Sequence, residues 1–495
     1  MQIFNFQGYS LEAILLAAAL LVTLSVIASR ISSKFGIPLL LVFLGIGMLA
    51  GSDGPGGIAF ENYRMAFAVG SACLALIVFD GGMSTSWNSV RPILRQGISL
   101  SVLGTFLTGA ATAAFAHFVL HMHWSDSVLL GAIVSSTDAA AVFSLLRARS
   151  LGLKGTVKQT LEFEAASNDP MAIFLTVGVL LFLSNPGASI VDFLKLLVMQ
   201  GGIGLALGLL GGRAIRWLIN NAGIEYEGLY GVLALGLIVG LFSLTGLIGG
   251  SGFLAVYVAG IILGNYEMLH KASIARFLDG VAWIAQILVF LTLGLLSFPT
   301  RVFPVWQEGL LLAVFMMFVA RPLAVFLAVP GRGMTLRERT FVSWVGLRGA
   351  APIILATYPW SIHFPRAEYL FDLVFFVVIS SVIAQGISIP WLAKKLGITV
   401  PLAKPRRIDL AHGVLPQGFL SIEIHVTDDA AATGQKVVDL ELPSGVILTS
   451  IERSDRFLIP RGDTLIEAGD RIFGLARQTN LPALQDIFGK TEVVA

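Results

Sequence analysis

Charge is what this 495-residue sequence has least of: Asp, Glu, Lys and Arg make up 13% of it, against 56% hydrophobic residues. Soluble domains carry about a quarter charged, so a wholly water-soluble chain is excluded. Cysteine is scarcer still. The single Cys73 lies in an apolar run, which rules out a disulfide within the chain. The formal net charge of +2 offers no case for a nucleic-acid partner. The opening segment lacks a basic start and a small-residue cleavage site, so it reads as a retained first helix and not a signal peptide.

What is abundant is apolar length and glycine. The 53 glycines suit membrane helices that pack through small residues. A spanning helix needs about 20 apolar residues, and about thirteen segments qualify or nearly so. They include 65–83, 127–146, 160–184, 341–358 and 370–392, with 37–50 and 253–264 short. The division between the eighth and ninth rests on Gly249, Gly250 and Gly252, so twelve is the alternative count. Charge placement tests it. One set of loops and helix ends holds Arg30, Arg95, Arg149, Lys158, Arg216, Lys271, Arg276, Arg339, Lys395 and others, and the opposite set holds only Arg64, Lys195, Arg301 and Arg366. Cytoplasmic loops are enriched in Lys and Arg. That alternation puts the N-terminus outside and the C-terminus in the cytoplasm.

The composition changes at the basic run Lys404-Pro405-Arg406-Arg407, expected to anchor the last helix at anionic lipid. The expected organisation is a membrane domain over 1–400, a basic linker over 401–415 and a small cytoplasmic α+β domain over 416–495. In the last, Leu420, Ile422, Ile424 and Val426 alternate as in a strand. Val446–Ile451 and Phe457–Ile459 are further apolar runs, and Pro482–Phe488 reads as a short helix.

An ionisable residue in a span costs about 2.5–3.5 kcal/mol and is a functional candidate by default. They cluster in four segments: Asp80 in ALIVFDGGM, Asp138 after Thr137 in STDAAAVF, Glu162, Glu164, Asn168 and Asp169 in LEFEAASNDP, and Arg348 in GLRGAAPII. Glu164 and Asn168 share a helix face, as do Glu162 and Asp169. One Arg cannot neutralise all these acids. Arg348 is expected to pair with Glu164, leaving a carboxylate that must take a proton or hold a cation. Desolvation raises the proton affinity of buried carboxylates in general, and competition of H+ and M+ for one site couples their flows. Gly346, Gly349 and Pro352 should interrupt their helix, and a break at Thr137-Asp138 is also expected; unwound backbone is tolerated where it lines a cavity. Glu162 reads as a rim charge, and His117, His121 and His123 near Asp126 as interfacial. Arg321 begins no motif and could reach the interface or an acid in the bundle.

At these residues the chain resembles the monovalent cation:proton antiporters of the NhaP and sodium/proton exchanger branch. The matching pieces are Thr137-Asp138, Glu164 with Asn168-Asp169, Gly346-Leu347-Arg348-Gly349, Asp80 before two glycines, and IPLLLVFLGIGMLAG at 37–51. The resemblance implies an all-α membrane fold with inverted repeats, two crossed discontinuous helices (the fifth and twelfth), and a homodimer. It implies Asp169 as the alternating carrier, with Thr137, Asp138, Asn168 and Asp80 around the ion, Glu164–Arg348 as a structural pair, and electroneutral exchange. Two positions depart from the pattern: Ala165 stands where a ligating Ser is usual, and Asp80 where Glu is commoner. The stretch LPSGVILTSIERSDRFLIPRGDTLIEAGDRIF at 442–473 resembles the TrkA-C (RCK_C) domain, which implies a possible small ligand on the tail. No Gly-rich dinucleotide fingerprint supports NAD. The pairing of the two domains favours K+ over Na+. The expectation is therefore a K+/H+ antiporter of the cell membrane. It is not an enzyme, and it has no catalytic residue, no cofactor and no metal beyond the cation it carries. A Na+/H+ antiporter is the alternative, ahead of a tail-gated cation channel or an ion sensor.

Overall fold

The computed structural model describes residues 5–6, 9–35, 38–60, 62–149, 151–185, 187, 189–329, 333–401, 419–428, 430–453 and 456–494. The chain divides into two compact units, Met1–Lys404 and Pro405–Ala495. The basic run Lys404–Arg407 and the rest of linker 402–415 lie outside the described residues.

The first unit is mainly helical. In chain order its helices are α1 (Leu11–Phe35), α2 (Leu39–Ala50), α3 (Tyr63–Met83), α4 (Trp87–Phe118), and the broken α5, made of α5a (Trp124–Ile133) and α5b (Ala139–Ala148). Then come α6 (Gly155–Ser184), α7 (Ile190–Asn221), α8 (Glu227–Leu247), α9 (Gly252–Asn265), α10 (Lys271–Leu295) and α11 (Pro299–Ala328). The broken α12, made of α12a (Leu336–Trp344) and α12b (Ala350–Leu355), and then α13 (Ala367–Lys395) close the unit. Among the described residues nine helices are long and apolar enough to cross a membrane, with α2 and α9 as shorter apolar helices. The turn at Gly249, in the left-handed region at φ +84°, separates α8 from α9, and the Ser251 side chain caps α9 by accepting from Leu254 N–H. The glycine cluster is therefore a real division.

Local chemistry sets several boundaries. Ser189 with Asp192 and Thr335 with Glu338 form reciprocal capping boxes that start α7 and α12a. In α5 the run Ser135-Ser136-Thr137-Asp138 offers four side chains able to compete for backbone hydrogen bonds, and the helix stops at Ile133 and resumes at Ala139. Two π-helical turns, Leu100–Gly104 in α4 and Met316–Ala320 in α11, each occur one helix before a broken one. The same local irregularities thus recur seven helices apart, at α4–α5 and at α11–α12, as inverted repeats require. A two-stranded ladder of β1 (Leu151–Leu153) and β2 (Thr399–Pro401) ties the start of α6 to the end of α13.

The second unit is a five-stranded antiparallel sheet of β3 (Phe419–Val426), β4 (Ile447–Arg453), β5 (Arg456–Leu458), β6 (Arg471–Arg477) and β7 (Gly489–Val494), with α14 (Leu481–Phe488) between the last two. The strand order is β5-β4-β6-β3-β7. Alternation in β3 buries Ile422, Ile424 and Val426 against Leu484 and Phe488 of α14. Asp470, 1% exposed, receives Arg453 through bonds of 2.8 and 2.7 Å. That carboxylate holds the Arg453 guanidinium above its ordinary pKa, chiefly through the hydrogen bonds.

Candidate ion site at the crossing of two broken helices

The two interruptions meet. The Asp138 N–H donates to the Leu347 carbonyl at 2.7 Å, backbone to backbone, across the breaks of α5 and α12. The glycines of Gly346-Leu347-Arg348-Gly349 make this approach possible. A Cβ on Gly349 would lie 2.3 Å from Asp138 Oδ2, and one on Gly346 would lie 2.8 Å from Arg321 Cγ. Any larger residue would displace a charged side chain.

Carbonyls freed by the breaks need donors, since bilayer hydrocarbon supplies none. Arg348, 2% exposed, donates from Nη1 to the carbonyls of Ser135, at 2.9 Å, and Ser136. A cation thereby sits at the negative end of α5a, where the helix dipole favours it. On the other break, Gln385 Nε2 donates to the Trp344 carbonyl at 2.8 Å, Ser381 Oγ donates to Gln385 Oε1, and Arg348 N–H donates to Ser381 Oγ at 3.3 Å. So α13 supports the α12 break.

The expected Glu164–Arg348 pair is corrected. Both oxygens of Glu164 are taken by Arg321 of α11, at 2.6 Å from Nη1 to Oε1 and 2.9 Å from Nη2 to Oε2, with both side chains almost wholly buried. The physical reason lies in the π turn that immediately precedes Arg321 and re-phases α11. Arg348 is occupied with backbone instead. The sequence placed no motif at Arg321, and the only signal was its position as an arginine in an apolar span. Ser381 and Gln385 gave none, being ordinary polar residues in a long helix.

Next to this frame lie the candidate ion residues. Asn168 Nδ2 donates to Thr137 Oγ1 at 2.6 Å, joining α6 to the α5 break. Asp138 and Ser136 are the neighbours that act on the Asp169 carboxyl. Thr137, Asp138, Asn168 and Asp169 are thus brought together. The charged group that acts on Asp80 is Asp279 of α10, and the next residue, Gly81, lies against Ala166 of α6. Ala165 supplies no oxygen. Ser167, which follows two positions later, is turned toward the Tyr257 hydroxyl of α9 at 3.3 Å.

Along α6, Lys158 and Glu162 are exposed and form a 3.7 Å ion pair, and Ala165, Ala166 and Asp169 are half-buried. Beyond Asp169, Met171 is half-buried and Ala172, Ile173 and Thr176 are buried. A Cβ on Gly81 of α3 would lie 3.8 Å from Ala166 Cβ, so Ala166 lies against α3. Asp126 is paired with Arg366 at 3.1 Å, and His117 is stacked on Trp124 with Nδ1 2.8 Å from the Met122 carbonyl.

Residues 16–395 match the family model described as sodium/hydrogen exchanger, transmembrane. The chain belongs to the sodium/hydrogen exchanger family. Residues 422–489 of this exchanger match the TrkA-C domain. Among its relatives, the K(+)/H(+) antiporter NhaP2 of Shewanella sp. (strain ANA-3) is 40% identical, covering 97% of this chain and 84% of that one. The K(+)/H(+) antiporter NhaP of Alkalimonas amylolytica is 36% identical over 96% and 83% of the two chains. The Na(+)/H(+) antiporter NhaH of Halobacillus aidingensis is 26% identical over 78% and 97%. The fold is similar to that of the sodium proton antiporter MjNhaP1 from Methanocaldococcus jannaschii, with a TM-score of 0.67 at 24% identity over 77% of this chain and 99% of that one. The protein is a multi-pass membrane transporter of a family that carries monovalent cations and protons.

Proposed function

We propose that this exchanger moves K+ outward against inward H+, one for one, with Na+ as the alternative cation on the same site. The observation that carries the reading is the meeting of Asp169 on α6 with Asp138 at the crossing of the two broken helices. A carboxylate reachable from one side at a time and able to hold either a proton or a cation is the minimum apparatus for exchange. The oxygens of Thr137 and Asn168 complete the cation's surroundings, and Arg348 and Gln385 hold the two breaks in shape. Two relatives at 36–40% identity named K(+)/H(+) antiporters, both covering nearly the whole chain, favour K+.

The basic loops put the tail in the cytoplasm; the membrane is the bacterial inner membrane. With high internal K+ and a more acidic exterior, the two gradients drive K+ efflux and H+ entry, which serves cation, pH and volume homeostasis. The protein acts as a homodimer, and the TrkA-C domain adjusts the exchange, with a small ligand as its natural input. Vesicles loaded with a pH indicator test the reading. Adding KCl should dissipate an imposed proton gradient without a membrane potential, Asp169→Asn should abolish the response, and removal of residues 410–495 should leave exchange in place with a shifted set point. Full exchange by Asp169→Asn would rule this mechanism out.

A further inference from the structure

Two buried oxygens next to the acid pair have no hydrogen-bond partner: Ser136 Oγ and Asn168 Oδ1. Their residues are 0% and 1% exposed. An unsatisfied buried acceptor is costly and calls for an explanation, a bound ion among them. Several polar groups around the α5 break are engaged. The carbonyls of Ser135 and Ser136 take Arg348, Thr137 Oγ1 takes the Asn168 amide, and the Asp138 N–H is given to Leu347. Ser136 is therefore fixed in orientation by its own carbonyl and by its neighbours on both sides. Its hydroxyl is left within reach of the Asp169 carboxyl, short of a well-formed bond to it.

We propose that Ser136 Oγ is a ligand of the transported cation and, with Asn168 Oδ1, determines which monovalent cation the site accepts. The inference rests on the exchange reading above and adds a residue to it. Alkali cations bind hard oxygen donors, and the α6 position nearest to Glu164 in sequence, Ala165, has no oxygen to give. The hydroxyl comes from the α5 break instead. A serine adds a donor atom without adding charge, so the one-for-one stoichiometry is untouched. It also turns: its O–H can donate to the Asp169 carboxylate in the absence of a cation, and its lone pairs can face the ion when one is bound. Because Ser136 lies on the broken segment and Asn168 on α6, the separation of α5 and α6 sets the size of the cage. Selectivity then depends on the backbone crossing that holds the break in place.

The test compares wild type, Ser136→Ala, Ser136→Thr and Ser136→Cys in proteoliposomes, with K+, Rb+, Na+ and Li+ in turn across a pH series. Ser136→Ala should raise the half-saturating concentration of the preferred cation about tenfold, the worth of one neutral ligand. It should also narrow the ratios between cations and, with the hydroxyl no longer available to the Asp169 carboxylate, displace the pH profile of exchange. Thr should restore affinity. Cys, close in volume but soft in its donor atom, should behave as Ala does, which separates ligation from packing if Ala impairs folding. Unchanged half-saturation and unchanged cation ratios in Ser136→Ala, or a fall in maximal rate alone, would overturn the assignment while leaving exchange by the wild type intact. Absence of any cation/proton exchange in the wild type would overturn the exchange reading and this assignment with it.

Discussion

Two arginines are buried to the same degree in this bundle, each 2% exposed, in regions that use them differently. Around Arg321 a charge meets a charge: the guanidinium lies against both oxygens of Glu164, hydrogen-bonded to Oε2, and joins α11 to α6. Around Arg348 a charge meets backbone: the guanidinium closes the end of α5a by binding the carbonyls of Ser135 and Ser136. The first region pairs one charge with its opposite. The second exists because helices were broken, and it keeps unwound chain at mid-membrane without unpaired carbonyls. Removing a charge partner and removing a backbone cap should therefore fail in different ways.

The largest effect is expected at the ion pair. Glu164→Ala or Arg321→Ala strands its partner buried, at a cost of about 3–5 kcal/mol. Thermal unfolding in detergent should show each single variant strongly destabilised. Replacing both residues by methionine should recover much of the loss, because a buried pair exchanged for apolar packing is often near neutral. A cycle of Glu164 with Arg321 should show the larger coupling, and that of Glu164 with Arg348, which lacks a direct contact, the smaller. Strong coupling of Glu164 to Arg348 would break the comparison.

Next comes Arg348→Ala, expected to cost about 2–3 kcal/mol for charge-assisted bonds lost to two carbonyls. Its exchange activity should be lost while the folded protein remains recoverable. Lysine, a single ammonium in place of the planar fork, should restore only part of the stability. The smallest effect belongs to Gln385→Leu, about 1 kcal/mol for one hydrogen bond to the Trp344 carbonyl. It should slow exchange more than it lowers the unfolding temperature, since it loosens the α12 break only. If Gln385→Leu proves as damaging as Arg348→Ala, the α12 break depends on α13 as heavily as the α5 break depends on arginine.

Much of the fold was legible because the bilayer constrains sequence so strongly. Apolar length gave the helices, the cluster Gly249, Gly250 and Gly252 gave the α8–α9 division, and Thr137-Asp138 pointed to the α5 break. The alternation in Phe419–Val426 gave the first tail strand. Asp138, Asn168 and Asp169 stood out because acids and amides are expensive in such segments. The partner of Glu164 did not. Charge counting says that an arginine is needed, and two were available. The choice fell to Arg321 through a π turn that no composition signals. Nor could any pattern show that Asp279 of α10 is a charged neighbour of Asp80.

The sequence by itself determined that this protein spans a membrane many times, that a compact α+β tail follows, and that a few costly polar residues had to carry its chemistry. Those conclusions depend on desolvation, which each residue brings with it wherever it lands. The tertiary structure alone decided which arginine answers which oxygen, which glycines admit Asp138 and Arg321, and which hydroxyl is left without a partner beside Asp169. Those outcomes depend on helix phase and on distances between segments far apart in the chain, and a difference of a few ångströms decides each of them.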